Sequence, residues 1–155
     1  MITCRHVNAK RKQRDGMAKR NLSSYPEIQA IRDRLNGKKP SEVIILFIPS
    51  HDRHEKELND RDIWAQNALA LFGKLFHGAT AFEHLQGVYQ PDKDSKPLYD
   101  NPIMVQSLTP TECIADEDNQ FELAEFCRNM GRRTNQASIG LVVNNFFIDI
   151  TISHG

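Results

Sequence analysis

Two short polar segments hold most of the side chains that could carry chemistry. The first runs from His51 to His54, and the second runs from Arg132 to Gln136. A histidine can act as a general acid or base near neutral pH, and guanidinium, hydroxyl and amide groups beside a helix N-terminus can bind phosphate or carboxylate. The catalytic candidates are therefore His51 and His54. The predicted anion site consists of Arg53, Arg132, Arg133, Thr134, Asn135 and Gln136.

Both segments also have a structural interpretation. The paired arginines would neutralise the negative end of a helix, and the two amide side chains would satisfy the backbone of a turn. The two histidines lack the third and fourth ligands that a zinc site needs, so we predict no metal site. The sequence contains no nucleophile elbow, Walker A loop or dinucleotide-binding glycine motif. We therefore predict no cofactor.

The first 40 residues form a basic segment that precedes an acidic body. They contain 11 Lys or Arg and 3 Asp or Glu, a balance of +8, whereas residues 41–155 contain 9 and 17, a balance of −8. Such a segment engages nucleic acid, or it lies on the acidic surface of a partner protein or of its own body. The candidate nucleic-acid contacts are Lys10, Arg11, Lys12, Arg14, Lys19 and Arg20.

The longest apolar run of the chain, residues 43–48, predicts a central strand that is buried on both faces. Apolar runs between turn signals predict four further strands, 79–90, 103–108, 138–143 and 146–152. Asn144 and Asn145 join the last two strands. Because Asn tolerates positive φ, we expect a tight type I′ turn in which both residues adopt it.

Apolar residues at helical spacing predict three helices. Two of them would cover the sheet, and Gly78 and Gly131 are expected to end them. The third helix would lie in the second half of the basic segment, with Ile28, Ile31 and Leu35 on one face. The predicted ranges are about 26–36, 60–77 and 117–131.

The predicted order of strand, helix, strand, strand, helix, strand is that of a ferredoxin-like βαββαβ sandwich with an extra C-terminal antiparallel strand. The fold class is α+β, with both helices on one face of the sheet. Residues 1–40 form a basic, partly helical arm, and residues 41–155 form the domain. The right-handed crossover rule places loops 50–60, 91–102 and 131–137 at one edge of the sheet, which is named the top edge here.

The remaining sequence features bear on location and assembly. Three widely spaced cysteines without a CxxC pair indicate reduced thiols in the cytoplasm, with Cys127 in the core. The start resembles no signal peptide, and the apolar runs are too short to span a membrane. One face of the sheet would stay open, so we expect the N-terminal helix or a second copy to cover it. A homodimer or larger homo-oligomer would result.

Three stretches of the chain resemble a family of small uncharacterised bacterial proteins. They read FHGATA, GVY and RNMGRRTNQ, and they lie at residues 76–81, 87–89 and 128–136. The resemblance covers about residues 43–150 and implies a ferredoxin-like fold, with no implied activity, cofactor or substrate. This chain departs from its relatives at His77, Tyr89, Arg133 and Ala137.

Three hypotheses of function follow. The first is a noncatalytic binding or regulatory module whose arm engages nucleic acid or an acidic protein. The second is an enzyme that acts on a small phosphate- or carboxylate-bearing substrate at the top edge, between loops 50–60 and 131–137. The third is a structural subunit of a homo-oligomer.

Overall fold

The computed structural model describes residues 25–36, 42–90 and 92–154. The chain divides into two units, Met1–Pro40 and Ser41–Gly155. In the first unit, helix α1 (Pro26–Arg34) begins at a proline, whose fixed φ and missing N–H suit the first helical position. This helix contains no buried residue. The candidate nucleic-acid contacts at 10–20 lie outside the described residues.

The described residues of the second unit, 42–90 and 92–154, form three helices and seven strands. The helices are α2 (Arg61–Phe76), α3 (Thr111–Ala115) and α4 (Glu117–Arg133). The strands are β1 (Glu42–Ile48), β2 (Thr80–Phe82), β3 (Gly87–Tyr89), β4 (Leu98–Asp100), β5 (Ile103–Thr109), β6 (Ser138–Val143) and β7 (Phe146–Thr151). Within the described part of the chain, no helix is both long enough and apolar enough to cross a membrane.

Five of the strands form one antiparallel sheet in the order β2-β5-β1-β6-β7. The first four of these follow the order of the predicted ferredoxin-like sandwich, and β7 adds the predicted extra strand beyond β6. The α+β, ferredoxin-like fold class is therefore confirmed. Strands β3 and β4 pair only with each other in a separate two-stranded sheet.

The core lies between α2, α4 and the inner face of the five-stranded sheet. Alternate residues of β1 are buried, because successive side chains of a strand point to opposite faces. Phe72 of α2 and Cys127 and Met130 of α4 are fully buried against these strands. Cys127 is thus in the core, as predicted. The rings of Trp64 and Phe126 join the two helices edge to face, with centroids 5.9 Å apart.

The other face of the sheet, the outer face, is also apolar. Cross-strand neighbours on it include the row Phe82, Met104 and Phe47 and the row Ile45, Val142 and Phe147. Phe82, Leu108 and Phe147 are 41%, 61% and 65% exposed. No helix of residues 42–154 packs on this face, since α2 and α4 both lie on the inner one. The apolar residues of the outer face are Val43, Ile45, Phe47, Phe82, Met104, Leu108, Val142 and Phe147. Thr80, Gln106, Ser138, Asp149 and Thr151 are the polar residues on the same face.

Two predicted helix ends were wrong. The left-handed residue after α2 is His77, with φ 67°, and Gly78 does not have positive φ. Helix α4 continues through Gly131 to Arg133 and ends at Thr134. Gly131 is needed for packing, because a Cβ there would lie 2.4 Å from Cδ1 of Ile152. Packing therefore explains Gly131, whereas nothing in the structure explains a glycine at position 78.

The predicted strand 79–90 was also wrong in extent. It is broken into β2 and β3, and His84 between them has φ 59°. Part of the predicted loop 91–102 forms β4, the partner of β3. The two-residue turn between β6 and β7 is confirmed, but only Asn144 has positive φ. It is therefore not the predicted type I′ turn. The amide N–H of Val43 donates to Asn144 Oδ1 and so ties the turn to β1.

Candidate functional site

The three loops predicted to meet at the top edge are in contact. The backbone N–H of Arg53 donates to the carbonyl oxygen of Asn135 at 3.1 Å. The side-chain amide of Gln136 donates to the carbonyl oxygen of His51 at 2.7 Å. The backbone N–H of Ser50 donates to the Asp100 carboxylate at 2.9 Å. The topology therefore brings residues 50–53, 100 and 135–136 together, as the strand order requires.

Asp52 organises the first of these loops. Its Oδ1 accepts hydrogen bonds from the backbone N–H groups of His54 and Lys56 at 2.8 and 3.0 Å. Its Oδ2 accepts one from the side-chain amide of Asn135 at 3.2 Å. The backbone hydrogen bond from Lys56, more than any other contact, holds the pKa of Asp52 below its ordinary value of 3.8. The carboxylate thus stays ionised and shapes the loop.

The polar side chains of the second segment are used within the chain. The hydroxyl of Thr134 donates to the carbonyl oxygen of Met130 at 2.7 Å, at the end of α4. Asn135 adopts φ 51°, a left-handed conformation that Asn tolerates. Gln136 is buried, and its amide also donates to the carbonyl oxygen of Thr134 at 3.1 Å. These three predicted anion ligands connect the end of α4 to the first loop.

A hydrogen-bonded cluster of Ser50, His51 and Asp100 lies beside this connection. The Ser50 hydroxyl donates to Asp100 and accepts from the backbone N–H of Asn101 at 3.1 Å. Nδ1 of His51 is 2.7 Å from the same hydroxyl oxygen. With the hydroxyl proton directed at Asp100, this contact is a hydrogen bond when Nδ1 of His51 carries a hydrogen and donates it to the hydroxyl oxygen. In that tautomer Nε2 is the nitrogen without a hydrogen.

A polar cleft of about 280 Å³ lies between the two predicted segments. Its charged lining side chains are Asp52, Lys56, Glu57, Asp60 and Arg133. Three acids and two bases give this lining a formal charge of −1. The cleft is open to solvent, and its charges are mixed in sign. Its electrostatics are therefore less favourable for an anion than two adjacent arginines alone suggest.

The other predicted side chains project into solvent. Arg53, His54 and Arg132 are exposed, and Arg132 lies in the last turn of α4, where a cation complements the helix dipole. Their assignment to an anion or catalytic site stays a prediction. Among residues 25–36, 42–90 and 92–154, no group of three or more His, Cys, Asp or Glu is placed to hold a metal ion.

Sequence reasoning missed Ser50 and Asp100. Both residues were predicted only as parts of loops, Ser50 of loop 50–60 and Asp100 of loop 91–102, and neither was named as a site residue. The predicted topology could have identified them, because it placed loops 50–60 and 91–102 together at the top edge, where His51 also lies. Seryl and aspartyl side chains next to a candidate base are natural partners for its second nitrogen.

Comparison with known proteins identifies relatives in fold alone. No protein-family model and no curated protein matches the chain. A phage SAM lyase in complex with S-methyl-5′-thioadenosine has a similar structure, with a TM-score of 0.52 and 10% identity. The similarity covers 74% of this chain and 92% of the lyase. The apo form of a phage SAM lyase gives a TM-score of 0.52 at 12% identity, over 75% and 93% of the two chains.

A second similarity is weaker. The divalent ion tolerance protein CutA1 from Ehrlichia chaffeensis has a TM-score of 0.40 at 10% identity, over 76% of this chain and 88% of that protein.

Proposed function

We propose that the chain is a small noncatalytic binding module that assembles with copies of itself and engages nucleic acid through its basic N-terminal residues. The observation that carries the proposal is the outer face, where eight apolar residues lie on a side of the sheet that no helix covers within residues 42–90 and 92–154. Contiguous exposed apolar surface of this kind is typical of protein interaction sites.

The top edge supports a noncatalytic role. Hydrogen bonds within the chain already engage the side chains of Thr134, Asn135 and Gln136. The Ser50 hydroxyl donates to Asp100 and accepts from two neighbours, so it does not present a nucleophile to a substrate. These contacts hold three loops together, and they leave little hydrogen-bonding capacity for catalysis.

The separation of charge supports the nucleic-acid part. Residues 41–155 carry a formal balance of −8, so this unit repels a polyanion, and attraction has to come from the +8 of residues 1–40. Assembly would place several basic segments on one particle. Once one basic segment bound a nucleic acid, the effective concentration of the other segments near the same molecule would be high, and the assembly would bind more tightly than one chain.

Neutralising two lysines of the basic segment tests this part. We expect the full chain to bind short DNA and RNA oligonucleotides with an affinity that falls steeply with salt. The double variant K10Q/K12Q should bind more weakly, and its salt slope should be smaller by about 2, about 1 for each lost phosphate contact. Fluorescence anisotropy across a salt series measures both quantities.

The matched control removes the same charge from the second unit. Lys93 and Lys96 are exposed in the loop between β3 and β4, and K93Q/K96Q should bind as the wild-type chain does. Equal losses in the two double variants, or no binding by the wild type, would contradict the nucleic-acid proposal. An acidic protein surface would then be the remaining partner for the basic segment.

A second candidate function is an enzyme at the top edge. The specific observation in its favour is the Ser50–His51–Asp100 cluster, in which Nε2 of His51 would act as the general base when Nδ1 donates to the Ser50 hydroxyl. The substrate class would be a small phosphate- or carboxylate-bearing molecule. SAM carries a carboxylate, and the similarity in fold to SAM lyases makes it the first substrate to test.

Incubation with SAM tests this candidate directly. We expect consumption of SAM, followed by chromatography, to be abolished in H51Q and retained in H54Q, since His54 is exposed and outside the cluster. If the wild-type chain does not consume SAM, this substrate is excluded. Equal activity of wild type and H51Q would exclude His51 as the base.

A further inference from the structure

A cavity of about 310 Å³ lies on the inner side of the sheet, away from the top edge and the outer face. Its walls include Leu123 and Cys127 of α4, Leu141 of β6, and Ile148 and Ile150 of β7. The cavity has a simple structural cause. Two helices cover a four-stranded ferredoxin-like sheet, but here β7 extends the sheet beyond β6, on which α4 packs. The inner side of β7 is left partly open, and Ile148 is 43% exposed.

The polar side chains that line this cavity are already engaged. The Asn119 amide donates to the carbonyl oxygens of Cys113 and Leu75 at 2.9 and 3.2 Å. The Gln120 amide donates to the carbonyl oxygen of Ile114 at 2.8 Å. Arg128 forms an ion pair with Glu125 at 2.8 Å. No unsatisfied charge on these side chains calls for a polar ligand.

The thiol in the cavity wall is also uncharged. Burial raises the pKa of Cys127 to about 12, so the thiol keeps its proton at neutral pH. A neutral thiol behaves as a small hydrophobic group. The charged lining side chain, Arg128, is half-exposed and is already paired with Glu125. The other lining side chains are apolar or neutral, so a charged occupant would lose its hydration without a free partner.

We propose that this cavity is a binding site for a small, neutral, predominantly apolar molecule. Its volume lies at the lower end of the range of roughly 300–1,000 Å³ that small-molecule sites have. A whole helix does not fit inside the cavity. Even a short helix of about nine residues, with a diameter of about 10 Å including side chains, occupies roughly 1,000 Å³.

Two fluorescent probes that share an aromatic skeleton test the charge requirement on the full chain. We expect N-phenyl-1-naphthylamine, which is neutral, to bind saturably with one molecule per chain. Its sulfonated analogue, 1-anilinonaphthalene-8-sulfonate, should bind at least tenfold more weakly. Equal affinity for both probes would overturn the proposal, and so would binding of several molecules per chain.

Filling the cavity tests its location. Ala124 of α4 lines the cavity, so A124F should weaken binding of the neutral probe at least tenfold. The same change at Ala70, which is exposed on α2 and outside the cavity, should leave the affinity unchanged. Thermal melts followed by circular dichroism confirm that both variants fold.

A second variant keeps the test decisive if A124F does not fold. Ile148 is partly exposed at the mouth, so I148D should be tolerated, and its carboxylate should weaken binding of the neutral probe at least tenfold. Wild-type affinity in a folded A124F or I148D variant would overturn the site. An affinity that falls as the protein concentration rises would also overturn it, because a second copy would then be the occupant.

Discussion

At the scale of single residues, Cys127 illustrates how burial controls chemistry. It lies fully buried in α4, among the side chains of the core. Desolvation disfavours the thiolate and raises its pKa from 9.0 to about 12. Because the thiolate is the reactive form of cysteine, this residue is structural and inert at neutral pH.

The raised pKa of Cys127 predicts a loss of stability in alkali. The unfolded chain releases the thiol proton near pH 9.0, whereas the folded chain keeps it to about pH 12. The stabilisation is therefore complete below about pH 9 and is lost as the pH rises toward 12. We expect the free energy of unfolding, measured with urea at pH 8 and pH 10.5, to fall more in the wild type than in C127A. Equal declines would contradict the raised pKa.

Several residues of the RNMGRRTNQ stretch have structural roles that its sequence pattern did not reveal. Gly131 allows close approach to Ile152, Thr134 closes the end of α4, and Asn135 takes a left-handed conformation. Gln136 donates to the carbonyl oxygen of His51 across 85 positions of sequence. The sequence indicated that the two amide side chains satisfy turn backbone, and Gln136 does so at Thr134. The distant partners of Gly131 and Gln136 could not be predicted, because Ile152 and His51 come near only in the tertiary structure.

At the scale of elements, the two helical glycines predict opposite effects of one substitution. Gly73 of α2 is exposed, and nothing lies within 4 Å of a Cβ built there. A Cβ at Gly131 of α4 would lie 2.4 Å from Cδ1 and 2.5 Å from Cγ1 of the buried Ile152. Alanine favours a helix over glycine by about 1 kcal/mol at both sites, and overpacking at Gly131 costs roughly 1–3 kcal/mol.

We therefore expect G73A to raise the free energy of unfolding by about 1 kcal/mol. G131A should be less stable than G73A by roughly 1–3 kcal/mol, since the two variants share the gain in helix propensity and differ in the clash. Urea unfolding of both variants measures the difference. Equal stability would mean that Ile152 moves away without cost.

The elements themselves were predictable to different degrees. The long elements β1 and α2, and the strand order they imply, could be read from the sequence, because β1 is an unbroken apolar run and the apolar residues of α2 recur at helical spacing. Strand β1 was expected to be buried on both faces, but only its alternate residues are buried. The short elements β4 and α3 were missed. Three residues of strand and five of helix carry too few apolar positions to show a period, and β4 forms only because β3 pairs with it.

At the scale of the whole molecule, the outer face predicts assembly. Phe147 is 65% exposed on this face, and Phe121 is 67% exposed on α4, on the other side of the sheet. If the outer face joins copies, a charge there will be desolvated and unpaired in the assembly. F147E should therefore shift the wild-type oligomer toward monomer in size-exclusion chromatography with light scattering, whereas F121E should not.

A monomeric wild type at micromolar concentration would contradict assembly through the outer face. An equal shift in F147E and F121E would also contradict it, because an added charge on either side of the sheet would then dissociate the oligomer. Thermal melts of both variants provide the folding control, because each phenylalanine is mostly exposed and its loss should cost the single chain little.

Strand β7 serves two surfaces at once, and the turn before it determines which side chains serve each. Phe147 lies on the outer face, while Ile148 and Ile150 line the cavity on the inner side. Because side chains alternate along a strand, inserting or deleting one residue at Asn144-Asn145 would exchange these sets. Phe147 would enter the cavity, and Ile148 and Ile150 would face potential partner copies. The length of a two-residue turn thus sets the register of both surfaces, so neither the proposed assembly face nor the proposed ligand cavity can shift without altering the other.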